Sequence, residues 1–262
     1  MSYLRLPSKP PASENVFRSD LSHSNVHDVC PRFPVLRSRV CTGSLSDYLE
    51  FAMALFTTPP DVTSPHDLFG QMTSIFQSLR ILSLAMVRPK ITPEVQSLFS
   101  RGLYITEYKL LTVLDATGPD DAYNGIVLNR NSHIYGSCRL AAYLYLYMVL
   151  VELPTGIGIV KTVVRRLRRL VEVEDANLLG LWREDMHMLL WILSMGAITR
   201  GSEEDGEYFV GTLRRVVQHM ELRSFEEYKQ AIREVCWIKA DLWNNHLSDL
   251  WKDTTAASSP KS

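Results

Sequence analysis

The sequence predicts an all-α protein, a multi-helix orthogonal or antiparallel bundle with a flexible tail at each end. Three observations carry that prediction. Apolar residues recur at helical spacing through most of the chain, and strand signals are nearly absent. The segment MHMLLWILSMGAITR, Met186 to Arg200, is apolar around its whole circumference when drawn as a helix. Such a helix has no face to give to water, so other helices must cover it on both sides.

Residues 1 to 40 hold Pro7, Pro10, Pro11, Pro31 and Pro34 among many Ser, Asn and Asp, with no period of 3.6 or 2, and read as a flexible tail. Residues 41 to 253 form the helical domain, and 254 to 262 read as a second tail. Within the domain, Asp47 to Phe56 is a short apolar helix stopped by Pro59-Pro60. Ser64-Pro65-His66-Asp67 offers a cap, a proline at the first helical position and a carboxylate three residues after the cap. Phe69, Met72, Phe76, Leu79, Leu82 and Met86 then keep helical spacing until Pro89. Thr92-Pro93 opens the next helix through Val95, Phe99 and Leu103, continuing to Leu110, Leu111 and Leu114. GPDDAYNG, Gly118 to Gly125, is turn chemistry.

From Ser132 a helix runs through Leu140 and Tyr147 to about Val151, ended by Pro154 and Gly156. Val160, Val163, Val164, Leu167 and Leu170 stripe the following helix, with Lys161, Arg165, Arg166, Arg168 and Arg169 on the opposite face. The helix of the apolar segment begins near Leu181, with Trp182 on its face. Phe209, Leu213, Val216, Val217 and Met220 stripe the next. Ser224, followed three residues later by Glu227, opens a helix through Tyr228, Ile232 and Val235 to Leu242 with a capping box.

Bulk properties exclude several function classes. With 46% apolar and 22% charged residues and a net charge of -1, nothing drives the whole chain to nucleic acid or to an anionic membrane. A membrane helix needs roughly 18 or more consecutive apolar residues. Ser194 and Gly196 interrupt the run after His187, and Leu140 to Val151 is too short, so neither is expected to span a bilayer. The N-terminus lacks a signal-peptide core. Cys30, Cys41, Cys138 and Cys236 are scattered, which favours a reducing compartment, cytosol or nucleus.

The chemical motifs each have a plainer reading. TGIGIVKTV, Thr155 to Val163, resembles a phosphate-binding loop, but Val160 stands before the lysine and Thr155 where the first glycine belongs. It reads better as a helix stop and restart. Asp120-Asp121 with Asn124 are like the aspartates that hold magnesium on a diphosphate in helical terpene synthases; Gly118-Pro119 and Gly125 around them mark a surface turn. Glu184 and His187 have the i, i+3 spacing of carboxylate-bridged di-metal bundles, without the second Glu-x-x-His such a site requires. His23, His27 and Cys30 would clip a metal only with a fourth ligand. No catalytic, cofactor-binding or metal residues are therefore assigned. The basic face reads as a solvated helix face, with phosphate, RNA, an acidic helix or an import receptor as its possible contacts.

The C-terminal third, residues 179 to 253, resembles the helical regulatory region of fungal-specific transcription factors, whose members usually begin with a binuclear zinc cluster. The residues that carry the likeness are Leu190-Trp191, Gly196-Ala197-Ile198, Tyr208-Phe209, Leu213, Phe225, Cys236-Trp237 and the closing Leu250-Trp251. Gly-Ala replaces the more usual Gly-Gly, and Tyr208 and Phe225 stand where tryptophan is common. The zinc-cluster module needs six closely spaced cysteines, and only Cys30 and Cys41 precede residue 100. The resemblance thus implies a stand-alone relative of the regulatory region, or a chain whose zinc-cluster exon lies upstream.

It further implies a nuclear, non-enzymatic regulator with no cofactor and no direct sequence-specific DNA binding by this chain. Protein partners of the transcription machinery, self-association or a small-molecule effector are the implied interactions, and cytoplasm is the second location. The rival class is a small helical enzyme or ligand-binding protein with a metal or diphosphate site. The two differ in where Glu184, Asp185 and His187 face, into a deep pocket or into water.

Overall fold

The structure is a computed structural model, which describes residues 68–86, 93–112, 130–153, 157–173, 177–236 and 241–256. The expected helix at Asp47 to Phe56, the Ser64 cap, the turn at Gly118 to Gly125 and both outer tail segments lie outside the described residues. All the regular structure among the described residues is helical, as the spacing of apolar residues predicts. The chain divides into two compact units, residues 1–128 and 129–262.

The first unit contains α1 (Leu68–Met86) and α2 (Pro93–Thr112), which pack on each other. Pro93 is the first residue of α2, the position where a missing N–H and a fixed φ do no harm. Met72, Phe76, Leu79 and Leu82 from α1 are buried, as are Val95, Phe99, Leu103, Leu110 and Leu111 from α2. Between the helices, Lys109 Nζ donates to Ser74 Oγ at 2.9 Å, and burial holds the lysine below its ordinary pKa. Inside α1 and α2, Ser78, Ser83 and Thr106 return their hydroxyls to the carbonyls of Ser74, Leu79 and Gly102. Buried hydroxyls are thus satisfied within their own helices.

The second unit contains α3 (Arg130–Tyr145), a π-helical segment (Leu146–Leu150), α4 (Gly158–Val173), a single turn α5 (Leu178–Leu181), α6 (Met186–Thr199), α7 (Glu203–His219), α8 (Phe225–Cys236) and α9 (Asp241–Thr255). At its centre is α6, which packs against α3, α4, α7, α8 and α9. Leu189 through Ala197 are all buried, the outcome that an all-round apolar helix requires. Leu193 and Trp191, on different sides of the helix, are both fully enclosed.

Four boundaries differ from the expected ones. Trp182 is not part of α6. Its backbone N–H closes the α5 turn on Leu178 O at 3.1 Å, and the chain breaks through exposed Arg183, Glu184 and Asp185 before α6 starts. The break lets Trp182 stay buried while three charged neighbours reach water. The helix from Ser224 ends at Cys236, and α9 is a separate helix that continues to Thr255, two residues into the segment read as tail. Thr254 is buried, and Arg214 of α7 donates to the carbonyls of Thr254 and Asp253 at 3.0 and 2.9 Å, capping the end of α9. Finally, α3 passes into the π segment at Leu146, and every residue from Gly136 to Leu150 is buried. Tyr143, Tyr145 and Tyr147, whose alternation could pass for a strand, lie on this helical run.

Candidate functional site

The cluster around Trp191 is built from four helices. Trp191 projects from α6, and its indole Nε1–H donates to the Cys236 carbonyl at the end of α8, 2.8 Å away and fully buried. The Tyr145 ring of α3 lies 5.8 Å from the indole, tilted at 48°. One turn along α6, Ser194 donates to Leu190 O at 2.6 Å, so its oxygen is left to accept from the Tyr228 hydroxyl of α8 at 2.7 Å. Tyr228 in turn lies 5.5 Å from the Trp251 ring of α9. Burial pushes the Tyr228 hydroxyl well above its ordinary pKa. Every polar atom named in this cluster has a protein partner, so it holds the helices in register.

Gly196 sets how closely α6 and α7 approach. A Cβ there would lie 2.6 Å from the Phe209 ring, so the ring occupies the space that a side chain would need. Thr199 returns its hydroxyl to Met195 O at 2.7 Å, and α6 ends at Arg200, whose φ of 37° lies in the left-handed region. The chain then turns through Gly201 to Ser202, which caps α7: the Asp205 N–H donates to Ser202 Oγ at 3.1 Å, and Ser202 Oγ–H to Asp205 Oδ2 at 2.7 Å. At α8 one half of the expected capping box forms, with the Glu227 N–H donating to Ser224 Oγ at 3.2 Å. The Glu227 carboxylate reaches back one residue further than expected, to the Arg223 N–H at 2.7 Å.

The candidate acids and bases lie elsewhere. Glu184, Asp185 and His187 are exposed. Glu184 precedes α6, so the i, i+3 pair with His187 does not share a helix. His187 Nδ1 instead meets Glu234 of α8 at 2.6 Å in a half-exposed pair. No group of three or more metal-ligating side chains occurs among the described residues. His23, His27, Cys30, Asp120, Asp121 and Asn124 lie outside them. In the resemblance to a phosphate-binding loop, Thr155 and Gly156 are likewise outside, while Gly158 to Val163 are the first turns of α4. That agrees with a helix restart. A pocket of ≈ 180 Å³ between α5 and α7 is lined by Asn177, Leu178, Leu179, Gly180, Thr212, Arg215 and Val216, with Arg215 its single charged side chain.

On α4, Val160, Val163, Val164 and Leu167 are buried, and Lys161, Arg165 and Arg169 are exposed, as the pattern predicts. Of the other two arginines of the expected basic face, Arg166 is half-buried, and the larger departure is Arg168. It turns into the contact with α7, where its Nη1 meets Glu204 at 2.8 Å and Asp205 at 3.2 Å, with Glu172 at 3.6 Å from Nε. Its guanidinium also lies 5.1 Å from the centre of the Tyr208 ring. These acceptors, Glu204 first, raise its pKa further. Sequence reasoning missed this cluster, the Ser194–Tyr228 pair and the Arg214 cap. One signal was present: Ser202-Glu203-Glu204-Asp205 is a helix start with a carboxylate at the third position.

Fold and core together define an all-α helical-bundle protein, and no helix among the described residues is long and apolar enough to cross a membrane. No known protein family, curated protein or solved structure matches the chain.

Proposed function

We propose that this chain is a non-enzymatic regulatory and interaction domain of the fungal transcription factor type, acting in the nucleus without a zinc-cluster module of its own. The observation that carries the reading is the Trp191 cluster. Residues quoted for the resemblance meet there in pairs, Trp191 with Cys236 and Gly196 with Phe209, across the helices that the family pattern orders. Polar groups in that core are used up in holding helices together, and Glu184, Asp185 and His187 face water, where an enzyme would converge them on a cavity. Regulation would then be a change in helix packing about Trp191, passed to protein partners or to a second copy of the chain.

The test fuses the full chain to a heterologous DNA-binding module and measures a reporter gene downstream. Reporter output should change several-fold over the DNA-binding module alone, and Trp191→Ala should abolish the change. An unchanged reporter would remove the regulator reading, and magnesium-dependent turnover of a diphosphate ester by the purified chain would put the helical-enzyme class in its place.

A further inference from the structure

The exposed side of α4 carries cations that no acid among the described residues neutralises. Lys161, Arg165 and Arg169 are exposed, recur every four residues, and make no ion pair among the described residues. At the α-helical rise they stand about 6 Å apart along a line of roughly 12 Å. The nearest acid on the helix, Glu172, is held by Arg168, which is itself turned into the α4–α7 contact by Glu204 and Asp205. Elsewhere Arg200, Lys229 and Lys252 pair with Asp253, Glu226 and Asp249, while the exposed Arg183 and Arg233, with no ion pair among the described residues, belong to separate segments and form no row. Because the whole chain is nearly neutral, an unmatched row of this kind is a local departure.

From this row we infer that α4 is a docking surface for the phosphate backbone of a nucleic acid, bound without regard to base sequence. A specific protein partner would need an apolar patch to form the core of the interface, and a membrane-surface helix would need an apolar face to insert. The exposed face of α4 supplies neither. Ile157, ahead of its first turn, is the single exposed large hydrophobic residue among those described. Polyanion binding needs only cations at a spacing near that of neighbouring phosphates, and arginine forks suit phosphate oxygens. The stripe lies on a helix locked against α7, so its charges are presented on a rigid element at little ordering cost. The inference does not depend on the regulator reading.

The test measures fluorescence anisotropy of a labelled DNA duplex of about 20 base pairs against the full chain, at salt between about 50 and 200 mM. If each of the three cations meets one phosphate, the log–log slope of affinity against salt is about −2.7. The triple variant Lys161→Gln, Arg165→Gln, Arg169→Gln should bind at least tenfold more weakly with an unchanged melting curve. Arg165→Lys with Arg169→Lys, which keeps the charge, should retain most of the binding. Arg233→Glu, on the exposed side of α8, should bind as the unaltered chain does. Absence of salt-dependent binding, or equal binding by the triple Gln variant, would overturn the inference. So would equal weakening by Arg233→Glu, which would make the effect one of net charge, or tighter binding to phosphatidylserine vesicles than to the duplex.

Discussion

Two residues of α6 decide how the second unit is held together. Trp191 combines a large buried surface with a hydrogen bond to the end of α8. Replacing it by Phe removes the donor and leaves a void, and should destabilise the unit by about 2–4 kcal/mol in urea unfolding. A loss under about 0.5 kcal/mol, the range of ordinary surface substitutions, would mean the indole is dispensable to the core. Gly196→Ala sets two effects against each other. Alanine is the better helix former by about 0.8–1.0 kcal/mol. Its methyl group would have to displace the fully buried Phe209 ring from 2.6 Å, and overpacking of that kind costs about 1–3 kcal/mol. The clash should win, and Phe209→Leu in the same chain should recover part of the loss; additive effects of the two changes would deny the contact. Both positions are visible in the sequence as parts of an apolar run. Their partners are not, because Cys236 and Phe209 come from other helices and no local spacing links them.

At the scale of elements, apolar stripes were readable, as were the ends of α1 and of the π segment, which fall shortly before Pro89 and Pro154; other helix ends were not. Three segments end at left-handed residues that are not glycine: Glu152 after the π segment, Arg200 after α6 and Glu221 after α7, with φ of 55°, 37° and 53°. Glycine is the sequence signal for such a residue, and these positions lack it, so the left-handed turn itself carries no mark. The backbone strain is worth using: Glu221→Gly, at an exposed site, should stabilise the chain by up to about 1 kcal/mol, seen as a higher urea midpoint at constant m. A lower midpoint would show that Glu221 serves some other purpose. At the start of α7, Ser202→Ala removes the acceptor of the Asp205 N–H and a donor to its carboxylate. A loss of about 1 kcal/mol is expected by the same measurement. Arg168 shows the limit of the helical wheel. Its position at the border between the buried and exposed faces lets it turn either way, and the acids at the start of α7 draw it inwards.

For the whole molecule, the buried Tyr228 hydroxyl makes stability depend on alkaline pH. Its folded pKa is raised from the ordinary value of 10.0, so the unfolded chain releases that proton first. The contribution is therefore complete below about pH 10 and is lost progressively as pH rises above it. Cys138, raised by burial and by the charge of Asp185, acts in the same direction, so the informative comparison is with Tyr228→Phe. That variant should be less stable near neutrality, through the lost hydrogen bond to Ser194, and should lose less melting temperature between about pH 9 and 11. An identical pH profile in both chains would mean that Tyr228 ionises freely. The sequence by itself determined the helical class, the stripes that face inwards and the burial of the Trp191 helix, because period and composition are local properties of the chain. Only the tertiary structure decided that α5 breaks off before α6, which way Arg168 turns, and which buried hydroxyls meet. Those outcomes depend on groups far apart in sequence, brought within hydrogen-bonding distance only when the helices pack.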